Sequence, residues 1–512
     1  MFVIILLLCL TVFMIFLRNY MRKRSYRWKK LSEFPGDRPL PIFGNMLQLG
    51  FYADESAHKL LALWEKHGKQ NFRFSVGSDH WILLTEPDDI GNILNHPTEI
   101  SKPSNRNAAM RPFFGNSVST SEGERWKSVR KLMTTSFQFK TLEQKINDVN
   151  KHCELLFEIF DSYQDKETVD LYRYLRPYMF DVVCASFMGI ESNKLAKLDD
   201  AYLKASAKVI KILTYNFFSY WRNIELLFKL TPHYTEMTET IKTIKQTSTE
   251  IIEARRDILH KAIEKPQSNN INVGTDVEKL IESKVNNGQC LLDKLLLTKS
   301  ADEKSISDDI INEELTFFCF TSHYTTAMTI SHTLYCLAKY PEIQDRVYEE
   351  QRCIFYNNLH KNLTNNELYQ MKYLEAVIKE SIRVLPTVTK IGRQLHNDFT
   401  FKDGRVAPAG SSVIVFYEAA FKNPKVFPEP EKYIPERFLK PIDKFAFIPF
   451  SAGRRSCIGY QFAMVTMKAT LSNILRRYEV LPGEPGTEPQ FVGRIITESK
   501  NGLNVRLIKR IL

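Results

Sequence analysis

Phe450-Ser451-Ala452-Gly453-Arg454-Arg455-Ser456-Cys457-Ile458-Gly459 decides how the rest of this 512-residue chain is read. One cysteine stands between two glycines. Directly after it, Tyr460 to Glu479 contains neither Pro nor Gly and predicts a helix. A thiol at a helix N-terminus lies beside unpaired N–H groups and the positive end of the dipole, which favours thiolate. Such a thiolate can be a nucleophile, a zinc ligand or an iron ligand, whereas most cysteines taken at random are simply buried. Zinc needs further ligands, and the chain has no Cys-x-x-Cys pair. The neighbours argue against an inert thiol. Gly453 permits a turn that a side chain would block, and Gly459 lets backbone approach a flat ligand. Arg455 can reach a carboxylate. Phe450 can cover the sulfur and keep water from it.

This pattern, Phe-x-x-Gly-x-Arg-x-Cys-x-Gly, resembles the haem-binding loop of cytochrome P-450 enzymes at all five fixed positions. The resemblance implies that Cys457 is the axial thiolate of a haem b iron and that Phe450, Gly453, Arg455 and Gly459 form its cradle. It implies a mainly α fold with small β-sheets, a single large helical domain.

Composition agrees with such a domain. Hydrophobic residues make up 44% of the chain, enough for a large core. Eight cysteines, at 9, 153, 184, 290, 319, 336, 353 and 457, show no framework spacing, which points to a reducing compartment rather than a disulfide scaffold. The formal charge of +11 is uneven, since Arg18, Arg22, Lys23, Arg24, Arg27, Lys29 and Lys30 lie within thirteen residues. The remainder is only mildly basic and carries no Walker loop, so nucleic acid is not an expected partner.

Met1 to Leu17 is apolar apart from Thr11. It reads as an N-terminal transmembrane anchor at the short end of the usual length. No charge precedes it and no small-residue cleavage site comes after it, unlike a cleaved signal peptide. Residues 18–34 form a basic juxtamembrane segment, which places the remainder of the chain on the cytosolic side. Residues 35–45, with Pro35, Pro39 and Pro41, form a stiff hinge similar to that of microsomal members of the family. Residues 35–512 are the expected haem domain. Phe72, Phe74 and Val76 alternate before Gly77-Ser78-Asp79 and Trp81 to Leu84, a hairpin pattern. A second pair brackets Asp403-Gly404, and Ser412 to Phe416 reads as a strand. Residues 263–289 are polar and asparagine-rich, a surface connection.

Further motifs carry the resemblance from about Pro35 to Arg506. Trp126 and Arg130 share a helix face and match the pair that contacts a haem propionate, after Ser119-Thr120-Ser121-Glu122-Gly123. Arg393 matches another propionate-binding arginine. Glu380-Ser381-Ile382-Arg383 matches the family's Glu-x-x-Arg, and Pro435-Glu436-Arg437-Phe438 the segment supplying the third partner, Arg437. That triad is expected to fix the backbone around Cys457. Asp308 to Tyr340 predicts one long helix across the oxygen-binding face. Its usual core is Ala-Gly-x-acid-Thr, but this chain has Thr321-Ser322-His323-Tyr324-Thr325-Thr326. The threonine, Thr325, is kept, while Tyr324 stands where the acid is expected. Oxygen activation needs two protons at the distal oxygen, and a phenol is a weak acid at neutral pH. Thr325 and Tyr324 are therefore the candidate catalytic residues. His323 is expected to be structural or solvent-facing.

Segments around 110–140, 291–296 and 450–468 are most similar to the animal family-4 clan that includes fatty-acid ω-hydroxylases. Where many of those enzymes have a glutamate that esterifies the haem, this chain has Thr321, so non-covalent haem is expected. The aromatic stretch Phe217, Phe218, Tyr220, Trp221, Leu226, Leu227, Phe228 lies where the family's substrate channel is roofed. Met110, Phe113, Phe114 and Thr387 to Thr389 lie where its walls stand. The resemblance implies a monooxygenase of the endoplasmic reticulum membrane, RH + O2 + 2 e⁻ + 2 H⁺ → ROH + H2O, acting on a small lipophilic substrate. No nucleotide-binding fingerprint is present. Electrons are expected from NADPH–cytochrome P-450 reductase, with cytochrome b5 as a further partner. Two other readings stay open on the sequence: a hydroperoxide isomerase or dehydratase, and a non-catalytic haem- or lipid-binding protein.

Overall fold

The computed structural model describes residues 11–14, 21, 25–41, 43–50, 53–137, 139–163, 167–218, 228–264, 290–297 and 306–511. Helices dominate. The longest among those near the cysteine loop, Asp308–Lys339, is termed the distal helix. Ser307 caps it, its hydroxyl accepting from Ile310 N–H, and Asp308 and Asp309 sit in the first turn against the positive dipole end. Pro341 ends it by starting the next helix, Pro341–Ile354. Its residues are buried on nearly every side, because Leu171–Val183, Lys372–Val384 and the proximal helix Tyr460–Arg477 all pack against it. A helix enclosed in this way reads as apolar around its whole circumference.

The β structure is small. Phe72–Val76 and Asp79–Leu84 form the expected hairpin, Phe72 opposite Leu83. Ser412–Phe416 pairs parallel with Asp79–Leu84, and Lys390–Gln394 pairs antiparallel with Ser412–Phe416, giving a four-stranded sheet. A short pair, Phe399–Thr400 with Val406–Ala407, brackets Asp403-Gly404. Phe491–Gly493 and Thr497–Ser499 form another, which delivers Glu498 to the distal helix. The main core lies among the helices. A smaller one, with Trp64, Phe72, Phe74, Trp81 and Phe416, sits on the four-stranded sheet.

The transmembrane expectation does not hold. Among the described residues no helix is long and apolar enough to cross a membrane. Residues 1–10 and 15–17 of the expected anchor lie outside the described residues. In the sequence, Arg18, with Arg22, Lys23 and Arg24 beyond it, blocks an apolar extension of that stretch. The endoplasmic-reticulum placement rested on that anchor and falls with it. In the aromatic stretch, residues 219–227 lie outside the described residues, as do residues 265–289 of the expected surface connection.

Candidate active site

The cysteine loop is held by its own backbone. Cys457 N–H donates to Phe450 O at 2.8 Å, closing the loop around a short turn, Gly453–Arg455. Gly453 sits at φ +69°, and a Cβ there would lie 2.0 Å from Leu94 O, so the turn needs glycine twice over. At Gly459 a Cβ would stand 4.0 Å from the Cys457 sulfur. The proximal helix starts at Tyr460, as expected. Cys457 is exposed, and the Gly459 N–H and the Arg130 charge both favour its thiolate. A bound metal ion would favour it further.

Arg455 is nearly buried and reaches across the chain. Its Nη2 donates to Glu122 Oε2 at 2.6 Å and to Ser121 O at 2.9 Å, and its guanidinium lies 4.2 Å from the Trp126 ring centroid. Arg393 is 1% exposed and opposes Val413 in the sheet. Only its Nη1 is hydrogen-bonded, to Gly392 O; its Nε and Nη2, and the Nε of Arg455, have no partner among the described residues. Two cations missed in the sequence complete the cluster. Lys102 lies near Arg393, Arg106 and Arg455, and all four crowd round the Glu122 carboxylate. Burial, reinforced by mutual repulsion, pushes Arg106 and Arg393 down to about 10 and Lys102 well below its usual value. The spacing of Lys102 and Arg106, four apart ahead of Trp126, was the available signal. Stranded donors and excess positive charge call for an anion. The two carboxylates of a haem b fit, with its iron toward Cys457.

The Glu380–Arg383 pair is fully buried and fully satisfied. Arg383 donates to both Glu380 oxygens, at 2.7 and 2.8 Å, and to the carbonyls of Phe421, Pro430 and Lys432. Glu380 also accepts from Ile434 N–H at 2.8 Å. Arg437 Nε stands 3.6 Å from Glu380, an ion pair without a hydrogen bond. The pair thus clamps backbone over residues 421–434. Phe447 packs on Phe421 and Phe438 and connects that segment to the approach to Phe450.

On the distal helix, Phe317, Thr321, Ser322 and Thr325 keep partial exposure, while Phe318, Phe320, His323 and Tyr324 are buried. Positions 317, 321 and 325 lie one turn apart and mark one face. Thr325 Oγ1 donates to Thr321 O at 2.9 Å. Tyr324 does not share that face. Its hydroxyl donates to Glu498 Oε2 at 2.7 Å. His323 is buried with Nδ1 2.6 Å from Cys319 O, and burial pushes it down to about 4, so it is a neutral packing residue.

A cavity of about 410 Å³ adjoins the cysteine loop. Phe438, Phe447, Phe450, Cys457, Tyr460 and Met464 line it, and Lys379, Lys440 and Lys444 add positive charge.

The cytochrome P450 family model matches residues 34–503. The chain is 31% identical to "Probable cytochrome P450 4s3" of Drosophila melanogaster over 94% of its length and 93% of that protein. It is 31% identical to "Cytochrome P450 4c3" of the same organism, over 97% and 93%. This chain belongs to the cytochrome P450 family, within its family-4 clan. It is a haem-thiolate monooxygenase acting on a small lipophilic substrate, with haem b held by a cysteine thiolate. Its partners are of the family's usual kind, a redox protein and a lipophilic molecule.

Proposed function

We propose that Cys457 is that thiolate, that residues 35–512 form the domain that holds the haem, and that the haem is bound without a covalent link. The carrying observation is the pair of buried, incompletely hydrogen-bonded arginines, Arg393 and Arg455, with Lys102 and Arg106 adding positive charge beside them, in the same neighbourhood as Cys457 and Arg130. When bound, the haem supplies the oxygen-binding iron, to which the thiolate lends electron density for O–O cleavage. The chain's own residues do the rest. Arg393, Arg455 and Arg130, with Trp126 against Arg455, orient the anionic edge. Phe450, packed on Tyr460, lines the cavity on which the sulfur opens. Thr325, on the accessible face of the distal helix, offers a hydroxyl to proton delivery. Thr321 carries no carboxylate, so an ester at that position is ruled out chemically. Electrons arrive from NADPH through cytochrome P-450 reductase, with cytochrome b5 as an additional donor. The lysines around the 410 Å³ cavity favour acidic partners, and the cavity reaches Cys457.

With CO, the reduced protein should show the strongly red-shifted Soret band of thiolate ligation. Cys457→His should abolish that band even where haem is retained. An unchanged spectrum in the variant means that another residue is the ligand.

A further inference from the structure

The segment from Gly115 to Glu122 is held from two sides, and one of the residues holding it has no part in the roles described so far. On one side stands the distal helix. Glu314, with no exposed surface, accepts the Val118 N–H on Oε2 at 2.9 Å. Its other oxygen has no partner among the described residues. The preceding residue, Glu313, pairs with Arg125 at 2.7 Å, and Arg125 Nε donates to Asn116 O at 3.0 Å. Gly115 has φ +55°, and a Cβ there would lie 2.1 Å from Glu313 Oε1. On the other side stands the cysteine loop. Arg455 donates to Glu122 Oε2 at 2.6 Å, to Ser121 O at 2.9 Å and, more weakly, to Val118 O at 3.4 Å. Between the two holds the chain forms a closed turn. Ser117 O accepts the N–H groups of Thr120 and Ser121, at 2.9 and 2.8 Å, and all three residues are fully buried.

Packing does not call for a carboxyl at position 314. A buried oxygen without a partner is costly beside an apolar side chain of similar size, and burial pushes the Glu314 pKa up to about 7. What the carboxyl provides is a fixed point for the Val118 N–H. Because Ser117 O closes the turn, fixing Val118 also fixes the carbonyls of Val118 and Ser121, which take the two Nη atoms of Arg455. The bond to Glu122 alone would leave the guanidinium free to turn about it. A guanidinium is planar, so setting both Nη atoms also sets the direction of Nε. Arg455 Nε has no partner among the described residues and is one of the donors left for an anion. We propose that Glu314 is a positioning residue for Arg455: through the turn Ser117 to Ser121 it aims the guanidinium at a haem carboxylate. This rests on the haem-thiolate reading of Cys457. Thr321 and Thr325 follow Glu314 on the same helix by about two and three turns. One element thus sets both the oxygen-binding face and the grip on the anionic edge of the haem.

The test uses the full-length holoenzyme as wild type, Glu314→Ala, Glu314→Gln, Arg455→Lys, Thr316→Ala and the pair Glu314→Ala with Arg455→Lys. One readout is the propionate bending band in the resonance Raman spectrum of the resting ferric protein. It reports hydrogen bonds to the haem carboxylates and needs no turnover. The other is the rate at which haem passes to an excess of apomyoglobin. Glu314→Ala should move the band and speed haem release about tenfold, the effect of losing one hydrogen bond to a charged group. Glu314→Gln, whose amide oxygen still takes the Val118 N–H, should restore both. Arg455→Lys has no planar fork to aim, so adding Glu314→Ala to it should change little more. Thr316→Ala is the control for stability alone. It loses a buried hydrogen bond from the same helix to Ser248 Oγ, 2.9 Å long, and should leave the band unmoved. An unmoved band in Glu314→Ala, an equal shift in Thr316→Ala, or full additivity in the pair overturns the proposal. If Glu314→Ala takes up no haem, Glu314→Leu, which fills the site without an accepting oxygen, decides by the same band. The reduced-CO band is recorded on every sample. Its absence from wild type refutes the haem-thiolate reading, a failure separate from this one.

Discussion

At the scale of single residues, Glu314 shows most plainly how burial sets a titration. It lies on the distal helix with no exposed surface; one oxygen accepts from Val118 N–H at 2.9 Å, and the other has no partner among the described residues. Burial raises its pKa from 4.5 to about 7, against the pull of the Val118 N–H and Arg125. A carboxyl whose folded value lies above its unfolded value favours the fold while protonated. That advantage is complete below about pH 4.5 and is lost as pH rises through about 7. Glu314→Gln, which cannot ionise, should therefore gain stability relative to wild type as pH is raised from 5 to 8. The gain should be on the order of 3 kcal/mol. Urea unfolding of both proteins at the two pH values measures it, and a constant difference across the window would contradict it. Cys457, by contrast, was legible in the sequence because its loop is local: Gly453, Arg455 and Gly459 lie within six residues and meet in the fold. Glu314 was not legible, because its environment comes from the Val118 backbone, 196 residues away.

At the scale of elements, the long helices and hairpins came from local pattern. The distal helix ended at Pro341, the strands alternated around Gly77, and Pro386 stood just past Lys372–Val384. Spacing also found Glu380 and Arg383, but not what they hold. The sequence suggested a triad with Arg437 that fixes the cysteine loop. In the structure the closer grip is on the carbonyls of Phe421, Pro430 and Lys432 and on the N–H of Ile434. All five Arg383 donors are used, so no other side chain replaces it. Glu380→Ala strands a buried guanidinium and should cost about 3–5 kcal/mol, enough to lower the yield of haem-loaded protein. Arg437→Lys removes only the 3.6 Å contact and one bond to Glu429 O, and should cost about 1 kcal/mol. Thermal melts followed at the Soret band compare them. Equal losses in the two variants would mean that the ion pair, and not the backbone clamp, carries the stability.

At the scale of the whole molecule, charge is the property most easily misjudged from sequence. The formal +11 draws attention to residues 18–30, but the positive charge that bears on chemistry is elsewhere. One part is buried, around Arg393 and Arg455. Another is exposed, where Lys440 and Lys444 flank the cavity that reaches Cys457, with Asp443 between them as the opposing charge. The cavity between these lysines is also lined by Cys457, so a donor docked on this face would stand close to the sulfur. An acidic donor would be drawn to it over roughly one Debye length, about 10 Å at 0.1 M salt. Reversing both lysines, Lys440→Glu with Lys444→Glu, should therefore slow reduction by cytochrome P-450 reductase about tenfold at low ionic strength. Added salt should slow the wild type while leaving the variant nearly unchanged, so that the two converge. Reduction by dithionite, a small reductant that needs no docking, should proceed alike in both, and the CO spectrum should be the same. Stopped-flow reduction across a salt series makes the comparison. If the variant keeps the wild-type rate and salt slope, the donor docks on another face, and the lysines around the cavity serve only solubility.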